Sequence, residues 1–69
     1  MAEGLIGAIQ ERCNELRDEY IPAYEAIGPA GMFATTMMKM AITRAETSIA
    51  TMDTVEMVKS LEELRGFKL

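Results

Sequence analysis

AYEAIGPAGMF, residues 23–33, packs two glycines and a proline into a largely apolar segment that leads straight into a long run free of helix breakers. The reading of this stretch decides the fold: as a phosphate cradle it would announce a nucleotide site, as a corner it would join two helices back to back. A Walker loop needs Gly-x4-Gly-Lys-Ser/Thr, and a dinucleotide fingerprint needs Gly-x-Gly-x-x-Gly after a strand; neither spacing is present. The amides of Ala30, Gly31 and Met32 remain as potential anion donors, but no other feature supports that use, and the corner is the better reading. Gly28 then suits the left-handed residue just past a helix terminus. Pro29 suits the first position of the next helix, where its missing N–H costs no hydrogen bond.

Upstream of the corner, apolar residues fall at Ile6, Ile9, Cys13, Leu16, Tyr20, Ala23 and Ile27, alternating by three and four. This is the seam of an amphipathic helix over residues 3–27. Pro22 lies on the opposite side and deprives the Asp18 carbonyl of its helical partner, so a kink is expected near Tyr20 to Pro22. Downstream, a second helix is expected from Pro29 to Ala50 or Thr51, with Ala34, Met38, Ala41, Ile42, Ala45, Ile49 and Met52 as its seam. Phe33, Met37 and Met40 add a second stripe beside that seam, so the apolar arc is about twice what one packing face requires. Arg44 stands near this stripe and is placed to guard the rim of an interface.

A third helix begins at TMDTVEM, residues 51–57, where Asp53 and Glu56 have the spacing of a capping box and Met52 and Met57 that of a hydrophobic staple. Met57, Val58, Leu61 and Leu64 line one face. The pairs Glu56-Lys59, Lys59-Glu63 and Glu62-Arg65 are spaced for surface ion pairing, and Gly66 marks the end. The fold class expected is therefore all-α: a single domain over 1–69, with a bent antiparallel helical hairpin followed by a short C-terminal helix.

Sixty-nine residues support only a small core, which leaves such chains dependent on staples or partners. One cysteine excludes an internal disulfide, and one cysteine without histidine speaks against a zinc site. Self-association is the remaining device, and a 49% hydrophobic content with seven methionines fits it. A homo-oligomer is expected. The net charge of −4, with its basic residues scattered, argues against binding duplex nucleic acid. Met1-Ala2-Glu3 lacks the basic start of an export signal, and the uncharged run from Ala26 to Met38 is too short to span a bilayer. The expected setting is cytoplasmic, with no membrane partner and no cofactor.

Few residues invite a catalytic reading. The chain has no histidine to act as a base, and Cys13 lies on an apolar seam where a thiol is inert packing. Glu11, Glu15 and Asp18 form an acidic strip on one face, readable as a solvated surface or as a dock for a basic partner. On the second helix Thr36, Lys39, Thr43, Glu46 and Thr47 share a polar face with Tyr24 one corner away. Hydroxyls around one lysine suit a phosphorylated small ligand, so Tyr24, Thr36, Lys39 and Thr43 are candidate ligand contacts, while Phe33, Met37, Met40 and Arg44 are candidate interface residues.

In size, acidity, helical make-up and lack of catalytic groups the chain resembles the small accessory proteins of bacteriophages and prophages, many of which block or sequester a host component. The resemblance is one of texture over the whole chain, and no residue roles carry over from it. It implies a non-enzymatic module binding a host protein in the host cytoplasm, and the acidic first helix favours a partner with a basic surface. Alternatives are an oligomeric receptor for a nucleotide-like ligand and a structural assembly protein.

Overall fold

The structure, a computed structural model, describes residues 2–68; Met1 and Leu69, the ends of the expected domain, lie outside the described residues. It is all-helical. The first helix, α1 (2–25), comprises α-helical Ala2–Glu15, a π-helical turn Leu16–Tyr20 and α-helical Ile21–Glu25. It is followed by α2, Pro29–Ala50, and α3, Thr54–Arg65. No described residue is in a strand.

The three helices form an up-down-up bundle measuring 38 × 17 × 15 Å. Arg17 pairs with Glu46 at 2.7 Å and Glu25 with Lys39 at 3.9 Å, which fixes α1 and α2 as antiparallel. The Arg44–Glu63 pair ties α2 to α3 running back along it. The core is built from Ile9, Cys13, Leu16 and Ile21 of α1, Met38, Ala41, Ile42 and Ala45 of α2, and Met57, Leu61 and Leu64 of α3. The N-terminal half of α1 lies mainly on α3, and its C-terminal end lies on α2.

The seam of α1 departs from the expected one after Leu16. Ile21 is buried and Tyr20 and Tyr24 are half-buried, whereas Ala23 is exposed and Ile27 is 59% exposed. The π-turn is the reason. The Ile21 N–H donates to the Leu16 carbonyl, five residues back, so the turn holds one residue more than an α-turn. At about 100° per residue, that extra residue moves the core-facing position from 20 to 21 and from 23 to 24. The irregularity expected at Tyr20 to Pro22 thus takes the form of a widened turn just ahead of the proline.

The corner also differs in detail from the expected one. α1 ends at Glu25, and Gly28 has φ 84° and ψ −144°, a region open to glycine alone and distinct from the left-handed helical one. Pro29 opens α2 as expected. Gly31 is there because α1 is close: a Cβ on it would lie 1.9 Å from the Tyr24 carbonyl oxygen. Its N–H donates to the Gly28 carbonyl at 2.9 Å, so one of the three amides considered for an anion is already engaged.

The left-handed terminator lies instead at the end of α2. Met52 has φ 54°, its N–H donates to the Ile49 carbonyl at 3.1 Å, and the Asp53 N–H donates to the Ser48 carbonyl at 3.0 Å, the two bonds of a Schellman motif. This geometry turns Met52 outward, 63% exposed, so it neither closes the α2 seam nor staples Met57, which is fully buried. The cap itself forms as expected, with the Asp53 carboxylate accepting from the Glu56 N–H at 3.2 Å. Two further differences concern which residues face inward. Thr35, Ser48 and Ser60 are buried, and the first two donate to the Met32 and Ala45 carbonyls within their own helix. Val58, expected on the inner face of α3, is 45% exposed.

Candidate functional site

With α1 and α3 both packed on the same half of α2, the second apolar stripe is left in water. Phe33 is 77% exposed, Met40 49% exposed and Met37 half-buried. Arg44 flanks the stripe and reaches Glu63 of α3 with two hydrogen bonds, one of them from Nε at 3.2 Å. The fork geometry of a guanidinium suits that carboxylate. Glu63 therefore bonds across the bundle, where pairing with Lys59 was expected; the expected Glu56–Lys59 pair forms at 3.6 Å. Ile27 and Met32, exposed beside the corner, extend the apolar surface toward that end of the molecule.

The candidate ligand residues are divided between two places. Thr36, Lys39 and Thr43 line shallow grooves along α2. The Lys39 ammonium has the Glu25 carboxylate 3.9 Å away, and the Thr43 hydroxyl donates to the Lys39 carbonyl at 3.0 Å. Tyr24 is not among the residues lining those grooves: its hydroxyl donates to the Lys68 carbonyl at 2.5 Å, on the α3 side of α1. A phosphate at Lys39 would share the ammonium with the Glu25 carboxylate and would find the phenol turned away.

A third groove, between α1 and α2, is lined by Ile9, Gln10, Cys13, Asn14, Arg17, Glu46 and Ile49. Cys13 lies at its base, 2% exposed. Burial pushes its thiol up, with Glu46 adding to that and Arg17 opposing it. The residue is held as a neutral thiol at neutral pH, the protonation state least suited to nucleophilic attack. Among the described residues no group of three or more Cys, Asp or Glu gathers where a metal ion would sit, and no helix is long and apolar enough to cross a membrane.

On the outer side of α1, Glu11, Glu15 and Asp18 are all exposed, as the strip reading requires. Glu15 is tied to Arg12. Arg12 is the residue that sequence reasoning missed. Its Nε donates to the Leu64 carbonyl at 3.1 Å, one Nη to the Phe67 carbonyl at 2.8 Å and the other to the Tyr20 hydroxyl at 3.2 Å, and its guanidinium lies 4.7 Å from the Tyr20 ring centroid. It thereby satisfies carbonyls at the open C-terminal end of α3, where a cation is favoured. The available signal was a positive charge one position before a seam residue, which is too common to single out.

The accessible features are thus an uncharged apolar stripe on α2, an acidic strip on α1 and shallow ion-paired grooves between them. No known protein family, curated protein or solved structure matches the chain.

Proposed function

We propose that this protein is a small non-enzymatic binding module that acts by covering part of another protein, as the phage-type accessory proteins it resembles block or sequester a host component. The observation that carries this reading is the uncovered stripe: Phe33 and Met40 stand in water on the middle helix of a bundle whose own core is already complete. Apolar surface of that kind on a small chain marks a contact surface. The acidic strip of Glu11, Glu15 and Asp18 supplies a second surface, suited to a partner with a basic face. The receptor reading, with Lys39 holding a phosphate, has less support because Glu25 competes for the same ammonium.

The test is retention of proteins from bacterial lysate on the immobilised chain, beside a thermal-shift screen of nucleotides. The expected result is a defined host protein retained by the wild type and lost from a Glu11→Lys, Asp18→Lys variant, with no nucleotide raising the melting temperature. Retention through α1 should weaken as salt rises, because exposed charge contacts are screened. A salt-sensitive nucleotide complex abolished by Lys39→Ala would replace this reading with the receptor one.

A further inference from the structure

We infer that the outer face of α2 is occupied by a second copy of the chain, packed antiparallel about a twofold axis that passes between Met40 and Thr43. Phe33, Thr36, Met40, Thr43, Thr47 and Ala50 are all exposed and recur by three and four residues. At about 100° per residue they form one line centred opposite the buried Ala41 and Ala45. The solvent side of a surface helix ordinarily carries its charges. Here all three charged residues of α2, Lys39, Arg44 and Glu46, stand off to the sides of that line. A seam with the spacing of a coiled coil, uncharged along its length and lying directly opposite the core, is built to meet another helix.

Three features identify that helix as α2 of a second copy. In antiparallel register Phe33 faces Ala50 of the second copy, Met40 faces Thr43, and Thr36 faces Thr47, so each large side chain meets a small one. The Thr43 hydroxyl already donates to the Lys39 carbonyl, which lets the residue present its methyl group to a dry contact. The same register sets Lys39 beside Glu46 of the second copy, and Glu46 beside its Lys39, on one flank of the seam. Both side chains keep more than half of their surface in water in the single chain, at 61% and 56%. A parallel pairing would put Lys39 against Arg44 of the second copy twice over, and like charges at such flanking positions disfavour it. The seam runs about 26 Å along the helix. With its flanks it offers roughly 1,000 Å² of total buried area, near the lower bound for a specific interface, so the dimer should form in the micromolar range.

This assignment rests on the proposed function's premise that α2 is a contact surface but gives the Phe33 and Met40 stripe to the second copy, so a host protein meets the dimer through the acidic strip on α1, which stays open. Sedimentation equilibrium at about 100 µM should give a dimer. Met40→Glu should weaken it at least tenfold without loss of helicity, because Met40 is exposed in the single chain and the fold does not depend on it. Register is read by disulfide trapping. A chain carrying Thr36→Cys and one carrying Thr47→Cys should cross-link to each other, and Thr36→Cys should not link to itself, since antiparallel packing separates the two copies of that position by about 16 Å. Cys13, buried in the core, leaves the wild type unlinked under the same conditions.

A folded monomer at that concentration, a Met40→Glu dimer of unchanged affinity, a self-linked Thr36→Cys chain, or a dimer without the mixed cross-link would each overturn the inference. A monomer that still retains a host protein in a charge-dependent way removes the dimer and leaves the proposed function standing. A dimer that retains nothing does the reverse.

Discussion

A methyl group on Gly31 would collide with backbone, and backbone cannot step aside as a flexible side chain can. The Tyr24 carbonyl oxygen stands 1.9 Å from the place a Cβ would take. Gly31→Ala is therefore expected to destabilise the fold by roughly 1–3 kcal/mol, despite alanine's better helix propensity, as measured by urea unfolding. Met52 presents the opposite case. It is the one non-glycine residue with positive φ among the described residues, and a left-handed L-residue costs roughly 1–2 kcal/mol. Met52→Gly should raise the urea midpoint, by about 1 kcal/mol in stability, because the exposed side chain gives little packing in return. Arg12→Ala should lower stability by roughly 1.5–3 kcal/mol, as it leaves carbonyls near the end of α3 without their charged donor. Arg12→Lys should recover only part of that loss, since an ammonium cannot reproduce the guanidinium fork that reaches Leu64 and Phe67 together. Cys13 should resist alkylation in the native state at pH 8 and react on unfolding. Its raised folded pKa contributes stability that is fully present below the unfolded pKa and lost as pH rises through the folded one. A native thiol that labels as fast as a free one would show that the groove exposes it.

At the scale of elements, the sequence marked those boundaries where a residue type does something no other can. Pro29 starts α2 and Asp53 caps α3, and both stand where their chemistry put them. The π-turn was not legible. Its seam differs from an α-seam by a single residue, and Tyr20 and Ile21 are both apolar enough to satisfy either count. The Gly28 backbone and the Met52 terminator were misread for a related reason: a glycine is compatible with several positive-φ regions, and nothing in a methionine advertises a left-handed backbone. Of the candidate site, the Phe33-Met37-Met40 stripe was legible as an excess of apolar arc. The separation of Tyr24 from Lys39 was not, because it depends on which side of α1 the tyrosine faces after the extra residue. The same extra residue makes a prediction. Deleting Glu19 should let residues 16–20 close as ordinary α-turns with Ile21 and Tyr24 still facing inward, so that most of the stability is kept. Deleting Gln10, in regular helix, rotates part of the core by about 100° and should abolish cooperative melting. Circular dichroism melts of the two deletions distinguish them, and equal damage from both would contradict the register argument.

For the molecule as a whole, two side chains from α1 reach across to the end of α3 and the residues just past it. Arg12 bonds to carbonyls 52 and 55 residues further on, and Tyr24 to one 44 residues further on. On a ribosome those carbonyls are made only after α1 and α2. Until Lys68 has emerged, α1 and α2 stand as a hairpin whose guanidinium has no carbonyls to hold and whose inner apolar face lacks α3. Such an intermediate exposes the outer face of α2 and the part of its inner face that α3 covers at once, and exposed apolar surface in a nascent chain invites association. The bundle thus closes in the reverse of its order of synthesis: the final turn of α3 brings the acceptors that lock a helix translated earlier, and the interval before that lock closes is when these helices are most open to chaperones, to proteases and to other copies of the chain.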